Sequence, residues 1–115
     1  MPNINARQVA DQFITAFEGG INYWCQSAIV TMPDGRELTD DEIDQNPELI
    51  LAATIKLIEE DGVTHIIRQA RIEKGMELMF AEQPQHWADV VSDCGDATTA
   101  DVFVQMIVFG EVKYG

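Results

Sequence analysis

Apolar positions recur along the chain with two different periods, and the changes of period mark its elements. Val9, Phe13 and Phe17 are spaced i, i+4 and i+8, and Ala6, Ala10 and Ile14 widen the same face. This predicts a helix over residues 5–18, with Asn5 as its N-cap and Gly19-Gly20 as its stop. Residues 21–32 are rich in aromatic and β-branched side chains and predict a strand that Pro33-Asp34-Gly35 closes as a turn. Thr39 is placed to cap a short helix beginning at Asp40-Asp41-Glu42-Ile43.

Residues 47–60 carry two conflicting signals. Asn46-Pro47-Glu48 opens like a helix, with Gly62 available to end it. Against that, Leu51, Ala53, Ile55 and Leu57 alternate with their neighbours, and Asp61-Gly62 is a favoured two-residue hairpin turn before Val63-Thr64-His65-Ile66-Ile67. The alternation favours a hairpin, with strands near 50–60 and 63–68. Ile72, Met76, Met79 and Phe80 then predict a helix over 70–81. Pro84 opens another over 84–93, with Trp87, Val90 and Val91 inward and His86 and Asp89 in solvent. A last helix, 99–109, is capped by Thr98 or Thr99, is apolar on most sides and so is buried on most sides; Gly110 ends it and leaves a tail. The expected architecture is a single α+β domain over 1–115. A small antiparallel sheet of about three strands is packed by about four helices, 5–18, 70–81, 84–93 and 99–109.

Charge narrows the functions available. Twenty acidic and seven basic residues give a net charge of −13 on 115 residues, while 46% of the residues are apolar. Such a chain folds, but it repels the phosphate backbone, so direct nucleic-acid binding is not expected. The acids cluster: Asp34, Glu37, Asp40, Asp41, Glu42, Asp44 and Glu48 stand against Arg36 alone. Such runs most often make a solvated surface; the sharper alternative is a face that docks on a basic protein or imitates a nucleic acid. No apolar run is long enough for a membrane span, and Met1-Pro2-Asn3-Ile4-Asn5 lacks the basic and apolar regions of a secretion signal. A bacterial cytoplasmic location is therefore expected.

Three segments, taken in order, resemble a group of small proteins encoded by phages, prophages and actinobacterial mobile elements. They are Glu18-Gly19-Gly20-Ile21-Asn22-Tyr23-Trp24, then Ile72-Glu73-Lys74-Gly75-Met76-Glu77-Leu78-Met79, then Thr99-Ala100-Asp101-Val102-Phe103-Val104-Gln105 with Phe109-Gly110-Glu111 and Tyr114-Gly115. The resemblance covers most of the chain, is weakest across 33–48, and implies a mobile-element origin and the strand reading of 50–60. The group has no settled biochemical role, so the resemblance implies no activity.

Few residues suggest chemistry. His65, His86, Cys25 and Cys94 share no recognised ligand spacing, so neither a metal nor another cofactor is expected. Asp93 and Asp96 beside Cys94 disfavour a thiolate there. Tyr23 and Trp24 on a strand would point to opposite faces, one into the core and the other towards solvent or a partner. Arg71 and Lys74 share a helical face, available for salt bridges with local acids or with another subunit. The leading expectation is a non-enzymatic acidic module that binds an unidentified, basic protein partner. Its interaction candidates are Tyr23, Trp24, Asp40, Asp41, Glu42 and Asp44. One alternative is a small-molecule or nucleotide-binding domain, with some enzymatic activity, whose pocket holds His65, Arg68, His86 and Trp87. The other is self-assembly, as a homodimer, through the apolar last helix and tail.

Overall fold

The structure is a computed structural model and describes residues 4–115. Its fold is α+β. Helix α1 (Ala6–Thr15) starts at Asn5, whose side chain accepts from the Gln8 N–H while the Gln8 side chain accepts from the Asn5 N–H. A wider π-type turn, Ala16–Gly20, continues α1 and lets the chain bend away. Strand β1 (Cys25–Thr31) follows, then α2 (Asp40–Gln45) and a short 3-10 segment, Pro47–Ala52. Strands β2 (Thr54–Glu59) and β3 (Thr64–Ile67) form the hairpin, and α3 (Gln69–Glu82), α4 (Pro84–Val91) and α5 (Ala97–Phe109) complete the chain.

The sheet is antiparallel with spatial order β1-β2-β3. Ala28 faces Leu57 and Val30 faces Ile55 across the first pair; Ile55 faces Ile67 across the second. Directly opposite residues share a face, so Val30, Ile55, Leu57 and Ile67, all buried, form the inner face against the helices. Helix α5 is the axis of the core. Every residue from Thr99 to Val108 is buried, including the polar Asp101 and Gln105. No helix among the described residues is long and apolar enough to cross a membrane.

Four expectations need correction. Residues 21–24 are not strand: β1 begins at Cys25, after a turn in which the Trp24 and Cys25 N–H groups both donate to the Ile21 carbonyl. Residues 47–52 follow the helical signal and 54–59 the strand signal, because Pro47 starts a helical turn too short to carry through the alternating run. Asp96, not Thr98 or Thr99, caps α5, its carboxylate accepting from the Thr99 N–H at 3.0 Å. Phe80 is 41% exposed, since the buried stripe of α3 runs Ile72, Gly75, Met76 and Met79. Gly110 does close α5, at φ +73°, the left-handed conformation glycine adopts without strain.

Helix α2 has only six residues and depends on its cap. Thr39 Oγ1 accepts from the Glu42 N–H at 3.2 Å, the Glu42 carboxylate accepts from the Thr39 N–H at 3.3 Å, and Arg36 pairs with Glu42. Thr39→Ala is expected to cost about 1 kcal/mol. Amide hydrogen exchange should show the loss within α2, with α5 protection reduced no more than the global destabilisation requires.

Candidate functional site

Two features hold most of the interaction candidates that the sequence marks out. The first is a buried polar cluster. Asp101, a carboxylate on a largely apolar helix, accepts from Trp24 Nε1 at 2.8 Å, from Gln105 Nε2 at 2.8 Å and from the Tyr23 hydroxyl. Tyr23 and Trp24 thus converge on one carboxylate, although Trp24 is 2% exposed and Tyr23 54%. Burial of the Tyr23 hydroxyl, then its hydrogen bond to Asp101 and the charge there, push the phenol up to about 12. Gln105 faces the other way as well: its Oε1 accepts from the Lys113 and Tyr114 N–H groups, both at 2.8 Å, which pins the C-terminal tail. The Tyr114 ring stacks on Trp24 with centroids 5.5 Å apart.

The tail reaches a second buried carboxylate. Glu59, at the end of β2 and 1% exposed, accepts from Tyr114 Oη at 2.5 Å and Lys113 Nζ at 3.2 Å, and its other oxygen lies 2.7 Å from His65 Nε2. The Tyr114 and His65 hydrogen bonds hold the Glu59 carboxyl down at about 2, so it is ionised and His65 Nε2 carries the donated proton. Both carboxylates are fully engaged by donors of this chain. The cluster therefore fastens the tail, α5, β2 and the turn before β1 to one another, and its chemistry is that of a latch. None of Glu59, Asp101, Gln105 and Tyr114 stood among the site candidates. The available signal was Asp101 and Gln105, one helical turn apart on a helix apolar all round, which must find partners when buried.

The second feature is a groove along β1. It has a volume of about 360 Å³ and is lined by Phe17, Ile21, Cys25–Val30, Leu38 and Ile43, with Glu37 and Asp40 among its walls. A recess of about 270 Å³ adjoins it, sharing Phe17, Asp40 and Ile43 and adding Ile14, Glu18 and Asp44. Neither is lined by Lys or Arg. No known family model, curated protein or solved structure matches this chain. What the groove can bind is therefore argued from its chemistry.

Of the interaction candidates, Asp40 and Asp44 line this concavity and Asp41 is exposed beside them. Glu42 is held by Thr39 and Arg36, and Tyr23 and Trp24 belong to the latch. The pocket candidates lie in different surroundings. His65 packs edge-on against Phe109 and bonds Glu59, and Arg68 is exposed. Trp87 is buried beside Phe80, and its indole N–H has no partner among the described residues. His86, expected in solvent, is half-buried. Arg71 makes no salt bridge to a local acid; its guanidinium donates to the Ile66, Ile107 and Val108 carbonyls, satisfying groups at the end of α5 that the helix leaves open. Among the described residues, no group of three or more His, Cys, Asp or Glu side chains could hold a metal ion.

Proposed function

We propose that this protein is a non-enzymatic binding module that docks a basic protein partner in the groove beside β1. The observation that carries the reading is the coincidence of three properties in one concavity. Phe17, Ile21 and Ile43 supply apolar contact; Glu18, Glu37, Asp40 and Asp44 supply negative charge; no Lys or Arg lines it to neutralise them. Apolar contact surrounded by one sign of charge is what a partner of opposite charge recognises, the charges speeding encounter and excluding other proteins. The net charge of −13 reinforces this at longer range. The resemblance to phage- and mobile-element-encoded proteins supports a partner encoded by the bacterial host. The two buried carboxylates, saturated by internal donors, favour a rigid scaffold over a reacting centre.

The test compares capture of partners from bacterial lysate by the native protein and by Asp40→Asn/Asp44→Asn. Salt is set at about 100 and 500 mM, where the screening length falls from roughly 10 to 4 Å. A basic partner retained at low salt, released at high salt and lost with the double variant is the expected result. Capture unchanged by both salt and variant would refute docking through this face.

A further inference from the structure

The groove has an unusual floor: six consecutive residues of one strand, Cys25–Val30, line it. Strand β1 is at the edge of the sheet, paired only with β2. Its hydrogen-bonding direction follows from the register. The Val30 carbonyl accepts from the Leu38 N–H at 2.8 Å, on the side away from β2. Backbone groups alternate sides along a strand, so the N–H and C=O of Ala28 also point away from β2. Among the described residues no backbone group pairs with them.

The chain itself starts to fill this lane and then leaves it. Thr31 and Glu37 form an antiparallel bridge, Leu38 bonds Val30, and at Asp40 the chain turns off into α2. The lane beside Ala28 stays open, and a bulge between Cys25 and Ser27 ends the regular alternation there. Ala28 shows the same vacancy on the inner face: it sits opposite buried Leu57 yet is itself exposed, because the helical layer does not reach over it. An open strand edge is a template for another strand.

Resting on the docking reading above, we propose that the partner enters as an extended segment that adds a fourth, antiparallel strand to β1. Its main chain pairs with Ala28 and continues the lane that Glu37 and Leu38 begin. Alternate side chains then fall on the inner face, over Phe17, Ile21 and Ile43, and are apolar. Lys or Arg at a flanking inward position reaches Asp40. A second copy of this chain is a poor occupant, since β1-to-β1 pairing would bring the same carboxylates of two molecules, each of charge −13, face to face.

The probe is a fluorescein-labelled peptide, Lys-Thr-Val-Thr-Val-Thr-Lys, followed by anisotropy at low salt. Two further peptides carry N-methyl groups on one or the other alternate set of amides. One set faces β1 and the other solvent, so one methylated peptide should bind about tenfold more weakly or not at all, and the other within about twofold of the parent. Ala28→Pro should likewise weaken binding about tenfold. Proline is tolerated on an edge strand where its missing N–H faced outwards, and the melting curve of the variant checks folding. Equal binding of both methylated peptides overturns strand addition while leaving groove docking standing. Equal binding to the native protein and to Asp40→Asn/Asp44→Asn overturns the docking reading itself. No binding of the parent peptide overturns strand addition, and the lysate comparison then decides docking separately. A molecular mass of twice 12.8 kDa by light scattering that falls to 12.8 kDa in Ala28→Pro would give the edge to a second copy and overturn the basic-peptide occupant.

Discussion

Replacing Gly75 by alanine is expected to lower the melting temperature by roughly 10 °C or more. The substitution looks benign, since alanine is a better helix former than glycine by about 1 kcal/mol. The packing of α3 on α5 reverses that sign. A Cβ at position 75 would lie 2.5 Å from the Ile107 Cα and 2.9 Å from its backbone nitrogen, closer than real contacts allow. A rotamer change cannot relieve a clash with backbone; the two helices must move apart. Overpacking of this kind costs about 1–3 kcal/mol, and separating helices along a whole contact lies at or beyond the upper end. A net loss near 2 kcal/mol corresponds to the stated shift in a domain of this size. Ile107→Val keeps both γ carbons, so it relieves neither the contact with Cγ1, also 2.5 Å away, nor those with the backbone, and it should fail to rescue the variant. Thermal denaturation of the single and double variants checks both statements; a raised melting temperature for Gly75→Ala would contradict the close crossing.

Local chemistry made the ends of elements legible. Asn5, Thr39 and Gly110 each do what their residue types favour, and Asp61-Gly62 lies in the β2–β3 turn, though the loop is the three residues Glu60-Asp61-Gly62 rather than two: the Gly62 N–H donates to the Glu59 carbonyl and Gly62 takes φ +92°. The buried face of β2 was legible too: the spacing of Ile55 and Leu57 places Glu59 on the same inward face. Its meaning was not legible, because its partners come from elsewhere. Tyr114 and Lys113 are more than fifty residues away in sequence, and Tyr23 and Trp24 lie more than seventy from Asp101. Spacing rules report on one element at a time and carry no information about contacts that only the tertiary fold creates. Trp24 illustrates the cost. Strand propensity placed it by alternation, whereas one hydrogen bond to Asp101 and stacking on Tyr114 fix it in a turn. The groove was half legible: the acids of 34–48 stood out, but the open edge of β1 depends on where the chain leaves the lane after Leu38.

Glu59→Gln is expected to cost about 2 kcal/mol near neutral pH and almost nothing near pH 2. The carboxylate accepts from Tyr114, His65 and Lys113 together. An amide of the same shape offers only one accepting oxygen and sets an N–H₂ donor against groups that are themselves donors. Lys113 is half exposed, so the larger share of the loss comes from Tyr114 and His65. The pH dependence follows from linkage. The Glu59 carboxyl titrates at about 2 in the fold against 4.5 for an ordinary one. A depressed folded value means that its contribution is complete above about pH 4.5 and is lost as pH falls through 4.5 towards 2. The other acids of this chain also titrate in that window, and relief of their mutual repulsion pushes stability the opposite way. They are common to both proteins and cancel in the difference. Denaturant melts of the two proteins between pH 7 and 2 should therefore converge as the pH falls. Because Tyr114 stacks on Trp24, the near-ultraviolet circular dichroism of the variant at neutral pH should already resemble that of the native protein in acid. A difference in stability that stayed constant down to pH 2 would mean that the charge of Glu59 is not what holds the tail.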